Sequence, residues 1–200
     1  MRLQFENNLN GGFTLPQQQL IQQSWSAIPG VLENCYNNLF PDVKDVAREL
    51  YQEYFGDASG SGVKQVREVI IKMKQVLKEL SFNTTAPNPP TMIFHHVPGA
   101  LGAAYRPFNY GRWNQQKVLE IYVDRDQMNL GNLFQTLTHE LSHLAAGTED
   151  IQTNLPGHGV VDVYGRVLAQ ALAANNRQAA RGNAENYCFF LDEARLRRLR

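Results

Sequence analysis

Two histidines four residues apart, His139 and His143, with Glu140 directly after the first, stand in the stretch TLTHELSHLAAGTED over residues 136–150. Leu133, Phe134, Leu137, Leu141 and Leu144 recur around them at helical spacing. Both imidazoles therefore project from one face of a helix, one turn apart. Such a pair can grip one metal ion. Zinc takes imidazole nitrogen readily, and a catalytic zinc is held by three protein ligands with a position left for water. Glu140 is turned about 100° from His139 around the helix axis, which suits it to take a proton from a water beside the metal and not to bind the metal itself. The same five letters also arise by chance in amphipathic helices whose histidines face solvent or core. The motif supplies two ligands, so a third must come from elsewhere in the chain.

The elements that must position these residues follow from the apolar spacing. Residues 1–40 are rich in Gln and Asn, with QQQLIQQSWSAI as a short helix and no visible chemistry; they read as an extension ahead of a compact domain over 41–200. Val43, Val46, Ala47, Leu50 and Tyr54 predict a helix stopped by Gly56, and Val63, Val66, Val69, Ile70, Met73, Val76, Leu77 and Leu80 predict a longer one over 63–80. The linker NTTAPNPP is barred from helix by its prolines. TMIFHHV, AAYRPF and KVLEIYV then read as a small sheet of about three strands, with KVLEIYV offering an edge on which an extended peptide could add. Gly147 ends the motif helix, and two more helices, over about 165–180 and 184–198, close the chain. This is an α+β arrangement, a small sheet among helices.

Nineteen basic and nineteen acidic residues cancel, which argues against nucleic acid as a partner, and RLRRLR at the C-terminus reads as a solvated helix end. No stretch approaches the 18 or more apolar residues of a membrane span, and the N-terminus lacks the apolar core of a classical signal peptide. Cys35 and Cys188 read as two buried thiols ahead of a disulfide. His158 is a remote alternative ligand, and His95 and His96, at a strand end, are left without a role. Tyr105 and Tyr122 could line a substrate cleft, while Trp25 and Trp113 read as core or rim.

The residues carry more than a generic motif. HELSHLAAGTED, the later VYG, and RVLAQALAANNRQAARGNAENYCFF resemble, in kind and order, the deuterolysin-like zinc metalloendopeptidases, the aspzincins, over residues 117–191 or so. That family follows its HExxH helix with Gly-Thr-x-Asp, a Tyr-Gly, a helix with a small-residue face and Asn-Ala-Asp-x-Tyr. Glu185 replaces the usual Asp of the last motif. The resemblance implies a zincin fold, one catalytic zinc per chain and a protein or peptide substrate. It makes His139 and His143 ligands, Glu140 the general base, Asp150 the third ligand and Tyr164 the phenol that polarises the scissile carbonyl. Glu185 would then be either a carboxylate at a helix start or a support for the ligands.

One departure leaves the third ligand open. The family separates its Asp from Tyr-Gly by two residues, whereas IQTNLPGHGVVDV stands between Asp150 and Tyr164. Asp150 keeps the GTED signature and can be reached through a sharp turn at Gly147, with IQTNLPGHG as an exposed insertion; Asp162 keeps closeness to Tyr164. Fungal relatives often prefer lysine after the cut, and Asp124 and Asp126 are the nearest acidic candidates for its ammonium. Related bacterial domains act as toxins or effectors, which implies export by a dedicated machine and an inhibitor or immunity protein as partner. Two other functions fit the same residues: a zinc-stabilised module that binds a protein without cutting it, and a zinc amidase acting on cell-wall material. The intact Glu140 favours an active enzyme.

Overall fold

In the computed structural model, residues 2–5, 12–58, 60–82, 91–98, 103–104, 118–126 and 128–197 are described. The linker NTTAPNPP, residues 105–108 of the segment AAYRPF, and Trp113 lie outside them. The elements run β1 (Arg2–Phe5), α1 (Leu15–Leu39), α2 (Asp45–Phe55), α3 (Gly60–Phe82), β2 (Thr91–His96), β3 (Ala103–Ala104), β4 (Val118–Val123), α4 (Leu130–Ala146), β5 (Gln152–Leu155), β6 (Gly159–Asp162), α5 (Arg166–Asn175), α6 (Arg177–Ala180) and α7 (Ala184–Leu196). The α+β class expected from the sequence is the one observed.

Among the described residues the sheet has four strands in the order β1-β2-β4-β3, the first two pairings parallel and the last antiparallel. Three of these strands match the sequence expectation; β1 does not, because its partner lies almost ninety residues away and four residues of RLQF carry no local signal. Phe5 stacks on Phe94 of β2, and Trp25 of α1 meets Phe94 edge-on, so the first forty residues add a strand to the sheet and pack a helix against it. Ala103 and Ala104 pair with Tyr122 and Ile121. β4 is therefore covered at those positions and is not the open edge expected of KVLEIYV.

α1 is longer than the short helix expected, running to Leu39 through Pro29. A proline inside a helix removes one N–H and costs about 3 kcal/mol. Against this, Ile21, Ile28, Leu32 and Leu39 are fully buried along one stripe, each stabilising by roughly 1.5–3 kcal/mol, so the stripe outweighs the breaker. In α2 the buried face holds Ala47, Leu50, Tyr51, Tyr54 and Phe55, while Val46 is exposed. The expected helix over 165–180 is broken at Asn176, whose side chain accepts from Ala179 N–H at 3.1 Å and starts the short α6.

α4 is the central helix, packed against α1, α3 and α7. Leu133, Phe134, Leu137 and Leu141 are buried in one core with Trp25, Ile70 and Phe190. Both ends are fixed by short-range chemistry. Asn129 accepts from the N–H groups of Gly131 and Asn132 at 3.0 Å each, and Asn132 Oδ1 accepts in return from Asn129 N–H at 2.9 Å, a reciprocal cap. At the other end Gly147 takes φ 70°, ψ 30° and its N–H bonds His143 O at 3.0 Å, a left-handed turn that glycine makes without steric cost. A smaller core of Leu155, Val163, Leu172, Ala173 and Ala180 seats the β5–β6 hairpin on α5 and α6. Among the described residues no helix is long and apolar enough to cross a membrane.

Candidate metal centre

α4 holds His139 and His143 one turn apart, with ring centroids 4.6 Å apart and planes at 82°. The turn at Gly147 sends the chain back beneath them and brings Asp150 to the same point. His139 Nε2 and His143 Nε2 are 3.0 Å apart, and Asp150 Oδ1 lies 3.1 Å from the first and 3.3 Å from the second. Zinc bonds to N and O are about 2.0–2.2 Å, so neighbouring ligands of a tetrahedral ion stand roughly 3.3 Å apart. The three atoms have that spacing.

The outer nitrogens explain why these atoms can serve as ligands. His139 Nδ1 faces Glu185 Oε2 at 2.9 Å and His143 Nδ1 faces the carbonyl of Thr148 at 2.6 Å. Each acceptor fixes the ring proton on Nδ1 and leaves the Nε2 lone pair for the centre. Two lone pairs and a carboxylate at about 3 Å repel one another unless a cation sits among them. Without metal that cation is a proton. Burial opposes charge on His139, but hydrogen bonds to Asp150 and Glu185, aided by the charge of Glu140, prevail and raise its pKa to about 9. Asp150, bonded by His139 and His143, is held well below the usual carboxylate range.

A proton count on metal uptake follows. Zinc requires the neutral imidazole nitrogen, and His139 holds its proton below about pH 9, so zinc binding at pH 7 is expected to release about one proton per chain and none from this group by pH 10 to 11. Affinity therefore rises as pH climbs toward 9. Calorimetry in buffers of different ionisation enthalpy reads the number directly; a release of zero at pH 7 contradicts a proton held on His139.

Glu140 is buried on α4 beside His139. Tyr164 follows β6, with 53% of its surface exposed and its ring 6.4 Å from the His139 ring at an angle of 30°. Burial first, then the charges of Asp150, Glu185 and Asp162 and a hydrogen bond with Asp150, raise its pKa, so the phenol keeps its proton at neutral pH. Glu185 joins these parts: besides meeting His139, its Oε1 accepts from Gly165 N–H at 2.7 Å, beside Tyr164. It also stands in the first turn of α7.

The remaining candidates lie elsewhere. Asp162 pairs across the hairpin with Gln152, whose Nε2 donates to its Oδ1 at 2.8 Å, and is not in the group of converging ligand atoms. The insertion IQTNLPGHG forms most of this antiparallel hairpin, and His158 is exposed at its turn. His95 stacks on Tyr122, whose hydroxyl donates to Glu120 at 2.8 Å. His96, Asp124 and Asp126 also gather, but His96 Nδ1 accepts from Arg125 N–H and Asp124 Oδ1 from Asp126 N–H. Asp124 is buried in that contact, which removes it as a surface partner for a substrate lysine. Cys35 and Cys188 are free and buried; desolvation raises Cys35 to about 12 and Cys188 well above the ordinary thiol range.

Three contributors escaped the sequence reading. Thr148 acts through its carbonyl, which no side-chain pattern betrays, and through Oγ1, 2.7 Å from Ser142 Oγ. Asn183 and Asn186 stand in NAENY, but the motif names them without showing what they touch.

The α+β arrangement of helices and sheet is shared with a solved zinc peptidase. The solved structure of the zinc peptidase from Grifola frondosa superposes with a TM-score of 0.62, over 92% of this chain and 98% of that one, at 18% identity. The shared property at that identity is the fold. No family model and no curated protein matches the sequence.

Proposed function

We propose that the chain is a zinc-dependent endopeptidase, holding one zinc ion through His139, His143 and Asp150. The observation that carries this is the convergence of three ligand atoms 3.0–3.3 Å apart, next to a buried glutamate on the same helix. Bound there, zinc would supply Lewis acidity, making water a better nucleophile near neutral pH. Glu140 accepts a proton from the water that attacks the peptide carbonyl carbon and delivers it to the departing amide nitrogen, so one water is consumed for each C–N bond broken. Tyr164, protonated and half exposed, donates a hydrogen bond to the carbonyl oxygen as negative charge grows on it. Glu185 orients His139 and the backbone at Gly165. Asp162 is left to the hairpin.

The name of the Grifola frondosa protein supports a peptide as substrate. Export as an effector, with an inhibitor or immunity protein as partner, rests on the family resemblance. Mass spectrometry of a peptide library incubated with the zinc-loaded protein tests the reading. Cuts at internal peptide bonds are expected. An intact library alongside cleaved cell-wall amides overturns it in favour of an amidase, and an intact library with no amide cleaved overturns it in favour of a binding module.

A further inference from the structure

An asparagine directly ahead of a helix ordinarily turns its side-chain oxygen onto N–H groups of the helix's own first turn, a contact worth about 1 kcal/mol. Asn183 occupies that position before α7 and makes no such bond. Its Oδ1 accepts instead from the main-chain N–H of Ile151 at 3.2 Å, and its Nδ2 donates to Asn186 Oδ1 at 2.7 Å. Asn186 Nδ2 donates in turn to the carbonyls of Tyr54 and Ala169 at 2.7 and 2.8 Å. Both asparagines are fully buried. Water cannot replace these bonds, so the network fixes the loop against α2 and α5 as well as α7.

The network holds the main chain after Asp150, and backbone bonds from the residues flanking Asn183 hold the main chain before it. Glu149 N–H donates to Gly182 O at 2.8 Å, Glu149 O accepts from Ala184 N–H at 2.9 Å, and Ile151 is bound by Asn183. Asp150 stands between them, its side chain 47% exposed and meeting His139 and His143, so the position of the backbone that carries it decides whether its carboxylate reaches the two rings. We infer that Asn183 is a positioning residue for Asp150, forgoing its own helix cap to hold the third ligand atom beside the two histidine nitrogens, with Asn186 locking its amide in orientation. This rests on reading His139, His143 and Asp150 as zinc ligands.

Cobalt(II), whose visible absorption reports coordination geometry, is the probe, with zinc affinity as a second readout. Asn183→Ala is expected to alter the cobalt spectrum and weaken zinc about 10- to 100-fold, the usual range for loss of an outer partner of a ligand. In an Asp150→Ala background the same change should cost nothing further, since there is no carboxylate left to aim. Ile28→Ala, on the buried face of α1, should lower stability and leave the spectrum unchanged. If Asn183→Ala does not fold, Asn183→Ser, whose hydroxyl is too short to reach Ile151 from the same backbone, carries the same expectation. A wild-type spectrum and affinity in the Asn183 variant, or an equal loss in the Asp150→Ala background, overturns the inference. Failure of the unaltered protein to take up cobalt, or unchanged uptake by Asp150→Ala, overturns instead the metal reading on which it rests.

Discussion

Glu140→Ala is expected to lower peptide hydrolysis by about 10²- to 10⁴-fold, the span that a positioned general acid–base group contributes, while zinc content stays at about one per chain. The two halves of this result have separate causes. The converging atoms belong to His139, His143 and Asp150, so removing Glu140 takes away no ligand, whereas the attacking water loses its proton acceptor and the leaving amine its donor. Glu140 is buried, and truncation to alanine opens a cavity beside a ligand helix. Glu140→Gln keeps the volume and removes only the basic carboxylate, so it should show the same loss of turnover with an unfolding midpoint closer to the unaltered protein. Unchanged hydrolysis in both variants would falsify the assignment of the base.

How far the site could be read from residues alone depended on how local its causes are. His139, Glu140 and His143 were legible because helical spacing and ligand spacing coincide in one segment, and Gly147 marks its end with a backbone conformation glycine favours. Asp150 was legible only through the likeness of GTED to a family signature; spacing left Asp162 open. The hairpin over 152–162 was not seen as strands, since two four-residue strands with mostly exposed side chains leave little hydrophobic alternation. β1 and the full length of α1 were missed for other reasons: one depends on pairing with a strand far along the chain, and the other overrides a proline through burial that only the folded core reveals. Asn183 shows a third limit. Its residue type and place ahead of a helix suggest a cap, and the side chain goes elsewhere because Ile151 needs a partner.

The central claim is that His139, His143 and Asp150 form the metal centre, and zinc titration of two single variants tests it most directly. Asp150 Oδ1 stands 3.1 and 3.3 Å from the histidine nitrogens, whereas Asp162 is bonded to Gln152 within the hairpin. Asp150→Ala should therefore weaken zinc by more than the 10- to 100-fold, roughly, that loss of an outer partner costs, and Asp162→Ala should bind zinc like the unaltered protein. Normal zinc affinity in Asp150→Ala, together with its loss in Asp162→Ala, contradicts the account and places the ligand at the end of the hairpin.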